Sequence, residues 1–116
     1  MKIRKVDDAI NEILRREKWF SRKIFGREPQ FVTIRIQDIA RHMHRFFWKY
    51  RDKILKKIQR WAEEHPYHSI WVDEEGIRWK VGYGQQMHPT YGYFKTFRLP
   101  SGIESGYDML ELYRVK

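Results

Sequence analysis

The stretch of sequence that most constrains the fold is residues 36–62, where apolar residues recur at steps of three and four. That spacing places side chains on one face of a helix, and an apolar helix face needs a core to pack against. The apolar stripe consists of Ile36, Ile39, Ala40, Met43, Phe47, Tyr50, Ile54, Ile58, Trp61 and Ala62. The pattern predicts either one long helix or two helices with a break, and periodicity alone does not distinguish them.

Basic residues of the same stretch form a second stripe on the opposite side of the predicted helix. Six of them recur at steps of three and four, and Arg51 and Lys57 lie beside these six. We call the eight together the basic ridge: Arg41, Arg45, Lys49, Arg51, Lys53, Lys56, Lys57 and Arg60. Lys and Arg are good helix formers and commonly solvate the outer side of an amphipathic helix, so the ridge is either ordinary surface or a site for a polyanion.

The charge balance of the whole chain favours a polyanionic partner. Lys and Arg number 24 against 15 Asp and Glu, which gives a formal net charge of +9 and an isoelectric point near 9.9. Nucleic acid is the commonest partner of such a protein, and an anionic membrane surface is the competitor. No apolar run approaches the roughly 18 residues of a spanning helix, and the N-terminus lacks the pattern of a secretory signal. We therefore expect a cytoplasmic protein without a membrane partner.

Length and composition predict one domain that spans residues 1–116. Hydrophobic residues make up 41% of the chain, which is enough for a packed core. The sequence contains no Cys, so disulfides, thiolate zinc sites and cysteine nucleophiles are excluded. Charged residues make up 34% of the chain and Asn occurs only as Asn11, a usage typical of thermophile proteins.

A first helix is predicted before the basic ridge. Asp7 and Asp8 suit a helix N-terminus, and Gly26 followed by Pro29 suits its end. The apolar residues of this helix are Val6, Ile10, Ile13, Leu14, Phe20 and Ile24. Its basic residues are Arg15, Arg16, Lys18, Arg22 and Lys23. We expect most of these cations to be solvated surface.

Extended segments are predicted on both sides of the ridge. Residues 31–36 alternate between the two faces of a strand and indicate a short extended piece that pairs with later strands. Residues 68–72 and 77–81 flank an acidic turn at 73–76, whose Gly76 tolerates a positive φ, so this region predicts a hairpin. The acidic tip of this hairpin is expected to repel phosphates at close range.

The C-terminal third is predicted to extend the sheet. Residues 82–92, GYGQQMHPTYG, are rich in Gly and Tyr and show no helical stripe, which predicts a long loop. Residues 93–99 and 108–115 indicate two further strands around Pro100. This C-terminal hairpin is expected to present a sheet edge, and an uncovered edge favours dimerisation.

Residue types associated with catalysis and metal binding occur, but their spacing does not suit either. His42 and His44, followed by Tyr50 and Lys53, are similar to the paired histidines and nucleophilic tyrosine of replication-initiator nickases. Residues two apart on a helix point about 200° apart, so the two imidazoles do not share a metal there. The sequence shows no paired-carboxylate pattern, phosphate-binding glycine motif or nucleophile elbow. We expect no enzymatic activity, no metal and no cofactor.

Residues 31–83 resemble the winged helix-turn-helix family in the order and spacing of their elements. Extended FVTIRI precedes QDIARHM, which resembles the first helix of the motif, and residues 50–58 resemble its recognition helix. HSIWVDEEGIRWKVGY, residues 68–83, then resembles the two-stranded wing. The chain departs from the family at the turn, because residues 45–50 are longer and more aromatic than the usual tight connection.

The resemblance implies an α+β fold of winged helix-turn-helix type, with N-terminal helices followed by an antiparallel sheet that the C-terminal hairpin extends. It also implies a small transcriptional regulator that binds double-stranded DNA, whose helix over residues 51–60 carries much of the basic ridge into the major groove. Two other classes stay open. One is a homodimeric structural module in which the long helix packs, and the other is an RNA-binding protein in which exposed Trp48, Tyr83 or Tyr91 stack bases.

Overall fold

The computed structural model describes residues 2–84, 99 and 107–116. Its elements follow one another as α1 (Val6–Phe20), a π-helical turn (Ser21–Phe25), β1 (Phe31–Arg35), α2 (Ile36–Met43), α3 (Arg51–Glu64), β2 (Ile70–Val72), β3 (Arg78–Gly84) and β4 (Met109–Arg114). The described residues thus form three α-helices and one four-stranded antiparallel sheet, and the predicted α+β class is confirmed.

Helix α1 and the π-helical turn that continues it together span the predicted first helix, from its acidic start to Gly26. Two acidic residues occupy its first turn, where carboxylates interact favourably with the free N–H groups. The π-helical turn that continues α1 ends at Gly26, whose left-handed φ of 65° suits a residue without Cβ. Phe20 and Ile24, the last two members of the predicted apolar stripe of this helix, are exposed. No residue of α1 or the π turn beyond Lys18 is buried, so these two side chains extend past the core.

The basic ridge spans two helices and the turn between them, so a single long helix is excluded. Helix α2 ends at Met43, and His44 adopts an extended backbone with φ −159°. The Phe46 N–H donates to His44 Nδ1 at 2.9 Å, which closes the turn that leads to α3. The apolar stripe continues across the break because both helices pack on one core. Its buried members are Ile36, Ile39, Ala40, Met43, Ile54, Ile58 and Trp61.

The strands lie in the order β1-β4-β3-β2, and every neighbouring pair is antiparallel. The predicted first strand and the predicted hairpin are confirmed, and Gly76 at the hairpin turn has a φ of 81°. Buried side chains alternate with exposed ones along β1 and with partly buried ones along β4 up to Leu112. Leu112 of β4 lies in register between Val32 of β1 and Val81 of β3, and all three are buried. One face of the sheet therefore packs into the core.

The predicted strand over residues 108–115 is confirmed as β4, but its expected place at the edge of the sheet is wrong. It lies between β1 and β3 and pairs with both, so it offers no free edge for dimerisation. Leu99 pairs with Tyr107 in an isolated bridge just before β4. Of the predicted long loop, residues 82–84 belong to β3 instead. The rest of that loop and residues 93–98 of the predicted strand lie outside the described residues.

One carboxylate ties α3 and the sheet to the start of α1. Asp7 Oδ1 accepts the indole N–H of Trp61 on α3 at 2.9 Å and that of Trp71 on β2 at 2.8 Å. Both indole side chains are buried, and a buried N–H needs a partner. This junction holds the C-terminal end of α3 against α1 and helps to determine which face of α3 points outward.

Candidate nucleic-acid interface

The outer face of α3 carries cations that face solvent. The inner face buries Ile54, Ile58 and Trp61, which fixes the rotation of the helix about its own axis. The cations exposed on the other side are Lys53, Lys56, Lys57 and Arg60. Within the described ranges, none of these four forms an ion pair. Their charge is therefore left for solvent or for an anionic partner.

Two other ridge residues have acidic neighbours. On α2, the Arg41 guanidinium lies 3.7 Å from the Asp38 carboxylate and 5.7 Å from the centre of the Phe47 ring. At the first position of α3, the Arg51 guanidinium lies 3.4 Å from the Asp52 carboxylate. Exposed pairs of this kind contribute little stability, so an anion can compete for both guanidinium groups.

The turn between α2 and α3 presents its cations on aromatic rings. The Arg45 guanidinium lies 4.8 Å from the centre of the Phe46 ring, and the Lys49 ammonium lies 5.6 Å from the centre of the Tyr50 ring. Attraction to the face of a ring positions a cation without neutralising it. The eight predicted site residues are thus divided among α2, the turn and α3 instead of following one helix.

The acidic tip of the β2–β3 hairpin is docked on α1. Arg15 forms a two-pronged ion pair with Glu74, one contact of which measures 2.7 Å. The Glu74 N–H also donates to the Asn11 side chain at 3.0 Å. Hydrogen bonds from Arg15 hold the pKa of Glu74 below its ordinary value, and those from Lys18 do the same for Glu75. The negative charge of the tip is therefore compensated within the protein.

A buried ion pair lies at the base of this tip. The Lys18 ammonium donates to Asp73 Oδ2 at 2.7 Å and to Glu75 at 2.8 Å. Asp73 also accepts the Trp79 indole N–H and the backbone N–H groups of Glu75 and Ile77. Burial raises the pKa of Asp73, but these hydrogen bonds and the Lys18 charge outweigh burial and leave it below its ordinary value. Lys18 is therefore an exception to the prediction that the cations of α1 are solvated. Its partner Asp73 lies 55 residues away in sequence, so no local pattern indicates the pair.

Two aromatic side chains of the connection between α2 and α3 face solvent. Phe46 is 47% exposed and Trp48 is 46% exposed, whereas Phe47 and Tyr50 pack against the core. We call this connection, residues 44–50, the aromatic turn. It adds exposed rings to the cations of the ridge, a combination that suits nucleotides because bases stack on rings while phosphates bind cations.

The RNA-binding alternative needs exposed aromatic rings on which bases can stack, and its candidate residues differ in exposure. Trp48 meets this need, but Tyr83 is buried and its hydroxyl donates to the His65 carbonyl at 2.6 Å. Burial raises the pKa of Tyr83 well above its ordinary value. The predicted exposure of Tyr83 for base stacking is therefore wrong. Tyr91 lies outside the described residues.

The two histidines considered for metal binding make contacts within the protein. His42, in the last turn of α2, places Nδ1 3.5 Å from the Glu12 carboxylate. His44 is buried and accepts the Phe46 N–H. Among residues 2–84, 99 and 107–116, no three His, Asp or Glu side chains are grouped to hold a metal ion. No helix in those ranges is long and apolar enough to cross a membrane.

A second exposed surface lies at the end of α1 and in the π-helical turn that follows it. Its residues, which we call the apolar patch, are between 49 and 68% exposed: Trp19, Phe20, Ile24 and Phe25. Single exposed apolar residues are ordinary, but a group of large ones commonly marks an interaction surface. The described residues therefore include a cationic surface with exposed rings and an apolar surface at the end of α1.

The chemistry available on the cationic surface is anion binding. Lys presents a compact charge to a phosphate, whereas Arg binds two phosphate oxygens at once through its planar group. Exposed rings in the same surface offer stacking faces to bases. Comparisons of this chain with protein-family models, with curated proteins and with solved structures found no match.

Proposed function

We propose that this protein binds double-stranded DNA through the basic ridge, as a small transcriptional regulator of winged helix-turn-helix type with α3 as its recognition helix. The observation that carries the proposal is the row of exposed cations on α3, which form no ion pair within the described residues. Protein surfaces that only need solubility usually mix both signs of charge. Residues 41–60 instead hold eight Lys and Arg against one Asp, a net charge of +7 compared with +9 for the whole chain.

The order of elements supports the winged-helix interpretation. A helix, a strand, two helices and a hairpin follow one another from α1 to β3, and β1 belongs to the same sheet as the hairpin. Strand β4 is an addition, inserted between β1 and β3. The hairpin also differs from a DNA-contacting wing, because Arg15 and Lys18 dock its tip on α1. We accordingly assign duplex contact to the cations that α2, the aromatic turn and α3 carry.

The dimensions of α3 suit the major groove. Its 14 residues give a length of about 21 Å at about 1.5 Å per residue. The major groove of B-DNA is about 12 Å wide and admits an α-helix. The acids of α3 occupy its first and last turns: Asp52, Glu63 and Glu64. The exposed cations lie between them, so the central turns of α3 are the part that approaches phosphates.

A DNA titration of charge-reversal variants tests the proposal. Lys53→Glu combined with Lys56→Glu places two negative charges in the ridge, and we expect binding to a duplex to weaken by at least about tenfold at low salt. The matched control is Arg78→Glu combined with Lys80→Glu, which makes the same change in net charge at two exposed positions of β3. The control should bind the duplex with much smaller loss.

Two results would overturn the proposal. Equal losses in the ridge variant and the β3 variant would mean that net charge alone drives association. Unchanged binding in the ridge variant would remove Lys53 and Lys56 from the interface. A parallel titration with single-stranded RNA decides the remaining choice, because tighter binding of RNA than of duplex DNA favours the RNA-binding alternative.

The apolar patch favours a second candidate function, that of a homodimeric module. A dimer through the outer face of α3 is disfavoured, because burial of its unpaired cations would cost desolvation energy. A dimer through the patch would instead cover Trp19, Phe20, Ile24 and Phe25. Sedimentation equilibrium of the wild type and of Phe25→Asp tests this candidate. A wild-type dimer that Phe25→Asp dissociates supports it, and a wild-type monomer at all concentrations removes it.

A further inference from the structure

We propose that the aromatic turn directs the protein to DNA in which unpaired bases adjoin a duplex, such as a fork, in preference to continuous duplex. This inference rests on the proposed function, because it needs a duplex held on the basic ridge. The observation behind it is that two solvent-facing rings, those of Phe46 and Trp48, lie in the turn that leads into α3. Unpaired bases are the ligand that such rings recognise, since every base presents a π face.

The aromatic turn holds its outward rings on a fixed support. Phe47 and Tyr50 pack against the core, while Phe46 and Trp48 are nearly half exposed. The N–H groups of Lys49 and Tyr50 donate to the Phe46 carbonyl at 3.0 and 3.3 Å. The Phe46 N–H is itself bonded, to a buried imidazole. Phe46 is therefore presented from a backbone that is bonded on both sides of the residue.

The chemistry of the turn matches a nucleotide, which joins a flat base to an anionic phosphate. The Arg45 guanidinium lies over the exposed Phe46 ring at 4.8 Å, so a ring face and a phosphate-binding group occur together. A base that stacks on Phe46 would take the place of the guanidinium and leave it to bind the adjacent phosphate. Apolar wedges inserted at an unstacked base step are a related use of such rings.

The turn is continuous with the helix that we expect to hold the duplex. The Ile54 N–H donates to the Tyr50 carbonyl at 3.0 Å, so the last residue of the turn opens α3. A groove at this junction is lined by Trp48, Lys49, Tyr50, Arg51, Asp52 and Lys53. A duplex that lies along α3 therefore reaches Trp48 at one end of the helix, where a displaced base can stack.

Fluorescence anisotropy with two DNA ligands tests the inference. One ligand is a continuous duplex, and the other is the same duplex ending in a fork, with 2-aminopurine at the first unpaired position. We expect the wild-type protein to bind the fork about tenfold more tightly, because stacking of one base on an aromatic side chain is worth about that factor. The 2-aminopurine emission should fall on binding, because stacking on a ring quenches it.

Phe46→Leu combined with Trp48→Leu keeps apolar side chains in the turn but removes their π faces. We expect this variant to bind the continuous duplex like the wild type, to lose the preference for the fork and to leave 2-aminopurine unquenched. The matched control is Trp19→Leu combined with Phe20→Leu, which removes the same two residue types from the exposed end of α1. The control should behave like the wild type, and thermal melts verify that both variants are folded.

The outcomes distinguish failure of this inference from failure of the proposed function. Loss of the fork preference in the turn variant alone supports the inference. The inference is overturned if the wild type binds fork and duplex equally. It is also overturned if the turn variant keeps the preference for the fork, or if its affinity for both ligands falls by the same factor. In those cases the proposed function still holds if Lys53→Glu with Lys56→Glu weakens binding to the duplex. Absence of wild-type binding to both ligands overturns the inference and the proposed function together.

Discussion

Two aspartates satisfy the indole groups that this core buries. The chain has five Trp residues, and three of them are buried: Trp61, Trp71 and Trp79. Asp7 accepts the first two indole N–H groups and Asp73 accepts the third. Tryptophan supplies a large apolar contact area, but its N–H needs an acceptor when it is buried. Asp7 therefore couples the packing of its two indole rings to the position of α1, and Asp73 couples the packing of the third ring to the position of the β2–β3 hairpin.

Asp7→Ala should lower the free energy of unfolding by about 2 kcal/mol more than Asp8→Ala does. Both substitutions remove a carboxylate from the first turn of α1, so the effect on the helix dipole is common to both. Only Asp7→Ala deprives the indole N–H groups of Trp61 and Trp71 of their acceptor. Urea unfolding of the two variants measures the difference, and equal values would mean that water replaces the lost carboxylate.

Lys18→Met should lower the free energy of unfolding by about 3 kcal/mol at neutral pH, because it leaves the buried Asp73 carboxylate without its cation. The folded-state pKa of Asp73 is lowered in the wild type. The stability it contributes is therefore present above the unfolded pKa of about 4 and is lost as the pH falls through the folded value. Removal of Lys18 raises that folded pKa, so the deficit of the variant should shrink in acid.

Urea unfolding of Lys18→Met from neutral pH to about pH 3 measures this change. The control is Lys23→Met at an exposed position of the π turn, which should alter stability by less than about 0.5 kcal/mol. A deficit for Lys18→Met that is the same at every pH would contradict an electrostatic origin and leave only a packing effect.

Helix α3 is held by tertiary contacts more than by its own end signals. Its N-terminus has no side-chain cap, and its last turn contains acids where the helix dipole favours cations. The C-terminal end is instead secured by Trp61, which bonds to Asp7 and stacks on His65 with the ring centres 4.2 Å apart. The inner face thus stabilises the fold, and the outer face is free to carry charge.

The two faces of α3 should respond differently to substitution. Ile54→Ala or Ile58→Ala removes buried methylene groups and should lower the free energy of unfolding by about 2–5 kcal/mol. Lys56→Ala or Arg60→Ala removes a solvated charge and should change stability by less than about 0.5 kcal/mol while weakening DNA binding. Thermal melts and DNA titrations of the four variants check this. Early melting of the Lys56 and Arg60 variants would instead identify the outer face as an interface that stabilises the protein.

Among the described residues, the ion-paired carboxylates of the hairpin tip and the unpaired cations of α3 lie on different elements. The carboxylates of the hairpin tip pair with α1, and Glu28 pairs with Arg22 at 2.5 Å and with Arg114 at 3.5 Å. The exposed cations of α3 form no such pairs among the described residues. Unpaired charge of one sign concentrates the electrostatic potential there and would steer a polyanion toward that surface.

Salt dependence should report this segregation. Six ridge cations that each neutralise one phosphate predict a slope of about −5 for log affinity against log salt, at about −0.9 per phosphate. They are Arg41, Arg45, Lys49, Lys53, Lys56 and Arg60. Lys53→Glu with Lys56→Glu should make the slope shallower by about 2, whereas Arg78→Glu with Lys80→Glu should leave it near −5. A slope that the ridge variant does not change would exclude phosphate contacts by Lys53 and Lys56.

Sequence patterns alone were sufficient where structure depends on neighbours a few residues apart. The start and end of α1, the alternation of β1 and the hairpin turn at Gly76 all follow from local preferences of the backbone and its termini. The members of the basic ridge were also predictable, because stripes at steps of three and four indicate which side of a helix meets the core.

The periodicity of the apolar residues does not reveal the break between α2 and α3, and the reason is geometric. The aromatic turn occupies the seven positions between α2 and α3, which equals about two helical turns, so the apolar stripe resumes in α3 as if the helix had continued. The extended backbone at His44, and not the spacing of apolar residues, separates the two helices. The exposed rings of the turn follow from that break.

Tertiary structure alone decided the features that join distant parts of the chain. The pairing of β4 with β1, the burial of Lys18 against Asp73 and the docking of the hairpin tip on α1 each depend on residues more than fifty positions apart. No local periodicity encodes such pairings, because each group finds its partner only when the whole core has assembled. The sequence by itself therefore determined the first helix, the first strand, the β2–β3 hairpin and the charge of this protein, whereas long-range packing decided which cations are neutralised and which remain exposed on α3.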